Sequence, residues 1–382
     1  MHRLIVRLVF FLLLLNGSAR AHDPSSYGGV FRSRDLGGSW LNADVGLFLN
    51  AALVVAVDPR DPSHLVIGTD LGILSSRSGG RSWRAEAGDL IFGAVFAVAF
   101  SSDGMQLSCA GTSGVFRREG DRWRRVRAPD AALPARALIT GDDEIYLLGR
   151  TGLFVSRDGG LTFSAVPGLP DSPEMTALTL VRMPQETLVA VVDGRVMTSQ
   201  DRGIRWRDGG LGDEGAPVDT VASDPVVPGR VWAASADRIL LSDDLGASWR
   251  AVGRRLPETA TKVRGIAANA QATALVVTTD RGTYTSENGG ESWLLKQDNL
   301  PAHLEAGPLA RDPSDPQVIY AVYSLIPYSE VWRSANEGTN MLARLDPMSL
   351  AGGVSFFLLI LIAGGVVARQ LARRRTVIRS PR

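Results

Sequence analysis

Apolar residues in this chain come in short runs, each closed by Gly, Pro, Asp or Ser. Leu53-Val54-Val55-Ala56-Val57 is followed by the turn Asp58-Pro59-Arg60-Asp61-Pro62 and then by Leu65-Val66-Ile67-Gly68-Thr69. Asp70-Leu71-Gly72 turns again, and Ile73 to Ser75 complete a third run. Short apolar runs between turn formers predict antiparallel strands, here four to a unit. The same order recurs over about 93–127, 135–167, 175–209, 217–253 and 261–297. Residues 28–42 supply only the last two strands of a unit, and Val318-Ile319-Tyr320-Ala321-Val322 opens another. Two open ends would leave strand edges bare, which β-proteins avoid. Pairing 28–42 with the strands at 306–324 closes a ring of seven four-stranded units, one of them composite. A count of eight competes with it, in which Ser334–Met341 closes a unit of its own.

The units share a motif, S-x-D-x-G-x-x-W. It is complete at Ser33-x-Asp35-x-Gly37-x-x-Trp40, at Ser199, Asp201, Gly203 and Trp206, and at Ser242, Asp244, Gly246 and Trp249. Ser156, Asp158 and Gly160 end in Phe163; Ser286, Gly290 and Trp293 carry Asn288 in the acidic place; Ser76, Gly80 and Trp83 carry Ser78 there. Arg117–Trp123 and Ser334–Met341 read as worn copies. The closing residues fall at 40, 83, 123, 163, 206, 249, 293 and 341, a period of 40 to 48 residues. A period of that size marks a propeller or solenoid. The motif's physics is that of a hairpin turn. Ser and Asp side chains bond the backbone N–H groups of the turn, Gly supplies positive φ, and the closing Trp buries a large face between sheets. Nothing in it needs a substrate.

This pattern resembles the Asp-box, or BNR, repeat of β-propellers, over about residues 27–344. The resemblance implies an all-β propeller and says little about activity. Asp-box propellers include sialidases, other glycosidases, sortilin-type receptors and the extracytoplasmic, non-enzymatic photosystem II assembly-factor family.

The ends of the chain read differently. Arg3 and Arg7, the apolar run Leu8 to Leu15 and Ala19-Arg20-Ala21 make residues 1–21 a cleaved secretory signal. The propeller is expected over 22–346. Met348 to Ala368 contain no charge, and about 20 such residues span a bilayer core, so 347–368 reads as a transmembrane helix. Residues 369–382 hold six arginines and no acid, a cytoplasmic tail by the positive-inside rule. The expected topology is single-pass, with the N-terminus outside. Scarce Lys and the lack of an N-x-S/T sequon in 22–368 lean towards a bacterial inner membrane with the propeller in the periplasm.

Composition narrows the chemistry. Net charge is +1, but the two terminal segments hold nine arginines and no acids, so residues 22–368 carry −8. An acidic domain argues against nucleic acid as a general partner. The single cysteine, Cys109, excludes an intramolecular disulfide, and the four histidines lie too far apart for a metal spacing. No catalytic, metal or cofactor residue is assigned. A sialidase needs three arginines on a carboxylate, an acid and a Tyr–Glu pair. Where that family has an R-I-P-like motif, this chain has Val30-Phe31-Arg32-Ser33-Arg34. Asp142-Asp143-Glu144 reads as a solvated hairpin turn. Converging acids at the axis, or an arginine triad with a tyrosine, would mark a hydrolase; a lining of Val, Ala and Ser would not.

Two surfaces read as partner contacts. Arg117, Arg118, Arg122, Arg124, Arg125 and Arg127 crowd one hairpin, interleaved with Phe116 and Trp123, a basic patch suited to an acidic protein surface or lipid head groups. Tyr323-Ser324-Leu325-Ile326-Pro327-Tyr328 reads as a long connection between strands, with Tyr323 and Tyr328 as contacts. The expected partners are membrane proteins or a membrane complex, with the bilayer reached through the C-terminal helix. The competing reading is a carbohydrate-active or glycan-binding propeller.

Overall fold

The computed structural model describes residues 28–338, apart from 45–46, 105, 170–173, 212–215 and 302. The signal, transmembrane and tail segments expected at 1–21, 347–368 and 369–382 lie outside the described residues. Among the described residues no helix is long and apolar enough to cross a membrane. The chain divides into two compact units at Trp332/Arg333. The second contributes only 333–338, of which 333–336 are the end of a helix, Tyr328–Asn336.

The first unit is a ring of seven four-stranded antiparallel sheets. Blade 1 consists of Ala52–Val57, Leu65–Thr69, Ile73–Ser76 and Arg84–Glu86. Blades 2 to 6 repeat that order, with first strands Val95–Phe100, Ala137–Thr140, Met175–Val181, Val218–Ser223 and Val263–Ala268. Blade 7 is composite: Glu305–Arg311 and Ile319–Ser324 come from the end of the chain, Gly29–Ser33 and Leu41–Asn42 from its beginning. Gly29–Ser33 pairs with Ile319–Ser324 along its whole length, Phe31 opposite Ala321. The composite closure expected from the two open ends is the one found.

Seven apolar clusters, one at each junction between blades, form the core. Between blades 1 and 2, Val66 and Ile73 meet Val98, Cys109 and Phe116; between blades 6 and 7, Val276 and Ala267 meet Phe31 and Tyr323. Each buried aliphatic or aromatic side chain contributes about 1.5–3 kcal/mol, so the ring is held by many local interfaces instead of one centre. First strands neighbour one another around the axis. Six of them carry a register shift near their beginnings, for example between Ala52 and Val54 and between Val263 and Gly265. Such bulges re-aim the side chains at a channel rim.

The recurrent turn joins third and fourth strands. In blade 5 the Ser242 hydroxyl donates to Asp244 Oδ1 (2.7 Å) and accepts from Gly246 N (2.9 Å), while Asp244 accepts from Ser248 N (2.8 Å). In three copies the closing indole reaches the preceding blade, whereas Trp206 Nε1 donates to Gly203 O of its own turn (3.0 Å). Trp83 Nε1 donates to Ala43 O (2.9 Å), Trp249 Nε1 to Gly209 O (2.9 Å) and Trp293 Nε1 to Arg254 O (3.0 Å). In those three copies the turn staples neighbouring blades as well as closing its own hairpin. The Gly of position five has φ near +85° in every copy, +88° at Gly80, where a Cβ would stand 2.3 Å from Ala43 O.

The two worn copies are not this turn. Arg117–Trp123 belongs to a tight hairpin whose strands, Gly114–Glu119 and Arg122–Arg125, pair Glu119 with Arg122. Ser334 to Asn336 are helical, which removes the eight-blade count. The apolar spacing Tyr328, Val331, Trp332 is that of a helix face.

Candidate functional site

The antiparallel order divides the ring into two faces. The recurrent turns and the turns between first and second strands lie on one, the turn face. The turns between second and third strands and the linkers between blades lie on the other, the linker face. First strands begin at the linker face and run along the axis, where a cavity of about 790 Å³ is lined mainly by blades 4 to 7.

The mouth of that cavity on the linker face is plugged. After Ser324 the chain turns through Leu325–Pro327 and begins the helix whose residues Tyr328, Ser329 and Trp332 line the cavity. Phe96, in the first strand of blade 2, meets Tyr328 edge-on at 5.3 Å and Trp332 at 4.9 Å between ring centroids. The Arg136 guanidinium lies 4.0 Å above the Trp332 ring, and that of Arg264 lies 4.7 Å from the Tyr328 ring. Glu305 fixes the start of the plug: it accepts from Tyr328 N (2.7 Å) and pairs with Arg264 (3.1 Å). A carboxylate at a helix N-terminus is favoured by the unpaired N–H groups there.

Arg136, Arg264 and Arg311, with Tyr328, all border the axis, so the lining is not the plain Val, Ala and Ser of an inert channel. The three guanidiniums do not form one clamp. Arg136 and Arg264 hold the plug at the linker face. Arg311 ends the strand that Glu305 begins, six residues or about 20 Å further along, and donates to Ala268 O (2.5 Å). Burial lowers the pKa of Arg136 and of Arg311. The axial carboxylates are unlike one another. Asp224 is committed to Trp232 Nε1 (2.9 Å) and Val226 N (2.8 Å). The Asp219 carboxyl is pushed up by desolvation, against the pull of Lys262. Among the described residues no three His, Cys, Asp or Glu side chains gather to hold a metal.

The partner contacts expected from sequence are placed as follows. Tyr323 is fully buried in the second strand of blade 7, sharing a hydrogen bond with Thr283 (2.5 Å) and an edge contact with Phe31 (5.3 Å). Tyr328 is buried in the plug. Neither belongs to an exposed loop, because the segment between them leads into the helix and not into a third strand. The arginine hairpin is divided by strand alternation. Arg118 and Trp123 face blade 1, where Trp123 Nε1 donates to Glu86 (2.9 Å) and Arg118 lies 4.0 Å from the same carboxylate. Arg117 is half-buried, its Nε without a hydrogen-bond partner. Arg122, Arg124, Arg125 and Arg127 are exposed, and Arg124 pairs with Glu119 at 3.1 Å.

The turn Asp142-Asp143-Glu144 is not simply solvated. Glu144 is 2% exposed and takes Arg202 Nη1 at 2.9 Å from the recurrent turn of blade 4. Arg202 also reaches Asp143 (3.5 Å), and Arg182 reaches Asp142 (3.1 Å). Sequence reading missed this junction because the arginines come from another blade.

No protein-family model and no curated protein matches the chain. Solved structures do. YCF48 bound to a D1 peptide superposes with a TM-score of 0.54 at 17% identity, over 72% of this chain and 93% of that one. YCF48 from Cyanidioschyzon merolae gives 0.58 at 13%, over 73% and 97%. The xyloglucanase from Xanthomonas campestris gives 0.50 at 18%, over 70% of this chain and 51% of that one. A peptide-bound protein and a xyloglucanase stand side by side in this comparison, so what it establishes for the chain is the β-propeller fold.

Proposed function

We propose that this is a membrane-anchored, extracytoplasmic propeller of the Asp-box type that acts as an interaction scaffold, assembling or stabilising a membrane protein complex. The observation that carries the reading is the plug. The helix residues Tyr328–Trp332 occupy the linker-face mouth of the channel, closing it from that side, and Glu305, at that mouth, is engaged by Tyr328 N and Arg264. The likeness to YCF48, one structure of which holds a D1 peptide, supports a protein partner. The uncharged run Met348–Ala368 and the basic tail after it support an anchor with the propeller outside the cytoplasm, in a bacterium the periplasm. The exposed arginines of the blade 2 hairpin, Arg122, Arg124, Arg125 and Arg127, are the proposed contact for an acidic partner surface.

Affinity purification of the tagged full-length protein from detergent-solubilised native membranes tests this. One membrane complex at near-stoichiometric yield is expected, reduced at least fivefold when those four arginines are changed to Gln. A partnerless protein refutes the scaffold. The second reading, a carbohydrate-active propeller, is favoured by Asp219, a carboxyl beside the axial cavity whose pKa desolvation pushes above its ordinary range. Release of sugar from a polysaccharide panel, abolished by Asp219→Asn, would select it.

A further inference from the structure

Large exposed apolar side chains stand on both faces of this propeller. On the turn face they include Leu161 in blade 3, Met183 and Ile204 in blade 4 and Val226 in blade 5. On the linker face four fall within consecutive blades 7, 1 and 2: Leu325 (37% exposed), Phe48 (65%), Leu71 (74%) and Phe92 (59%). Backbone contacts join their segments into one ridge. Leu325 N donates to Asn50 O (2.8 Å), and Ala51 bridges Ser324. Ala52 pairs with Thr69, which places the Leu71 turn beside that linker. Gly72 lies so close to Ile91 that a Cβ would stand 2.9 Å from its carbonyl oxygen, and Phe92 N donates to Ser113 Oγ (3.2 Å). The plug helix starts three residues after Leu325 and packs on Phe96 of blade 2, so the ridge borders the place where the chain leaves the ring.

We propose that this ridge of Leu325, Phe48, Leu71 and Phe92 seats the propeller on the lipid bilayer, its side chains entering the interfacial zone beside the chain's own anchor. The inference rests on the anchored reading above. Four reasons favour lipid over other occupants. The chain leaves the ring on this face, and Met348, the start of the uncharged run, follows Trp332 by only sixteen residues. A tethered ring therefore presents this face to the membrane. Phe and Leu are the side chains that settle at the boundary of head groups and acyl chains, at a depth of about 5–10 Å. The ridge is made of turns and linkers, the outermost parts of this face. Finally, Asp70, the charge next to Leu71, is half-buried, while the exposed Asp89, three residues before Phe92, limits the insertion to the interface.

The test uses the full-length protein with single cysteines at Leu71, Phe92 or Leu325 on the ridge, and at Met183 or Ile204 on the turn face. Each is labelled with an environment-sensitive fluorophore after reconstitution into phosphatidylcholine vesicles. Nitroxide-labelled lipid should quench the ridge probes at least threefold more than the turn-face probes, and aqueous iodide should quench them at least threefold less. Equal quenching on both faces, with the protein retained through a carbonate wash, overturns the ridge while leaving the anchor intact. Loss of the protein in carbonate overturns the anchor and the ridge with it. Iodide access in pure lipid that disappears in native membranes overturns lipid in favour of a protein partner.

Discussion

Replacing Trp332 by Ala should open the channel mouth without unfolding the ring. The indole is nearly buried, packs edge-on against Phe96 at 4.9 Å and carries the Arg136 guanidinium at 4.0 Å. Removing a buried Trp costs about 3–5 kcal/mol when the cavity persists. Of this, the aromatic pair accounts for about 0.5–1.5 kcal/mol and the cation–π contact for about 0.5–2 kcal/mol. At a channel mouth water refills the space, so the lower figure applies, about 3 kcal/mol. That is roughly a 150-fold change in a local opening constant. The amides to watch are Tyr328, bonded to Glu305, and Glu330 and Val331, bonded to Pro327 O at 2.9 and 3.0 Å. Native-state hydrogen exchange read by mass spectrometry on a peptide covering 325–332 should show them exchanging about a hundredfold faster. Protection of Thr187–Val192, a strand far inside blade 4, should not change. Trp293→Ala removes an indole of the same size from the outer edge of blade 6 and serves as the control. Acceleration of less than threefold at 325–332 would refute the plug as an independently held element. Equal acceleration in blade 4 would show that plug and ring melt together.

Other outcomes follow from the turns and the core. Gly80→Ala, at φ +88° and 2.3 Å from Ala43 O, should lower stability by more than about 2 kcal/mol in urea melts. Gly79→Ala should cost under about 1 kcal/mol, since Leu36, Arg202 and Leu245 already occupy the equivalent position at positive φ. The Asp158 carboxyl is held below its ordinary range first by the Thr162 hydroxyl, then by the Thr162 and Leu161 N–H groups and Ser156, which outweigh its desolvation. Its folded pKa is depressed, so its stabilisation is full above the ordinary value of 3.8 and is lost as pH falls through the folded value. The thermal midpoints of wild type and Asp158→Asn should accordingly converge between pH 6 and pH 2. Cys109 is fully buried and its thiol is pushed up by desolvation, with Glu86 adding to it, so it should react with maleimide only after denaturant is added.

The blades were legible because each states its own boundaries. Turn formers cut the chain at nearly the same interval, and the closing Trp marks the third hairpin whatever its neighbours do. The composite closure followed from the need to cover two strand edges. What escaped was anything decided between blades. Ser334–Met341 matched the motif in letters but lacks an apolar strand before it, while the spacing of Tyr328, Val331 and Trp332 carried the helix. Arg136, Arg264 and Arg311 are isolated in sequence and acquire a role only when first strands from three blades meet at one axis. Glu144 reads as a solvated acid until Arg202, fifty-eight residues later, is folded onto it. The basic hairpin reads as one patch, yet strand alternation sends Arg118 and Trp123 into the junction with blade 1.

Blade 7 joins the first strand of the ring to the last, and this sets an order of events. Phe31 pairs with Ala321, 290 residues downstream. At about 5–20 residues per second of synthesis, Gly29–Ser33 waits roughly 15–60 seconds for its partner, and until then its edge is free to pair with any passing strand. Contacts of such sequence separation form slowly. The nascent chain is most vulnerable at its oldest residues, and a chaperone acting on it would need to hold the N-terminal strand until Ile319–Ser324 had been made.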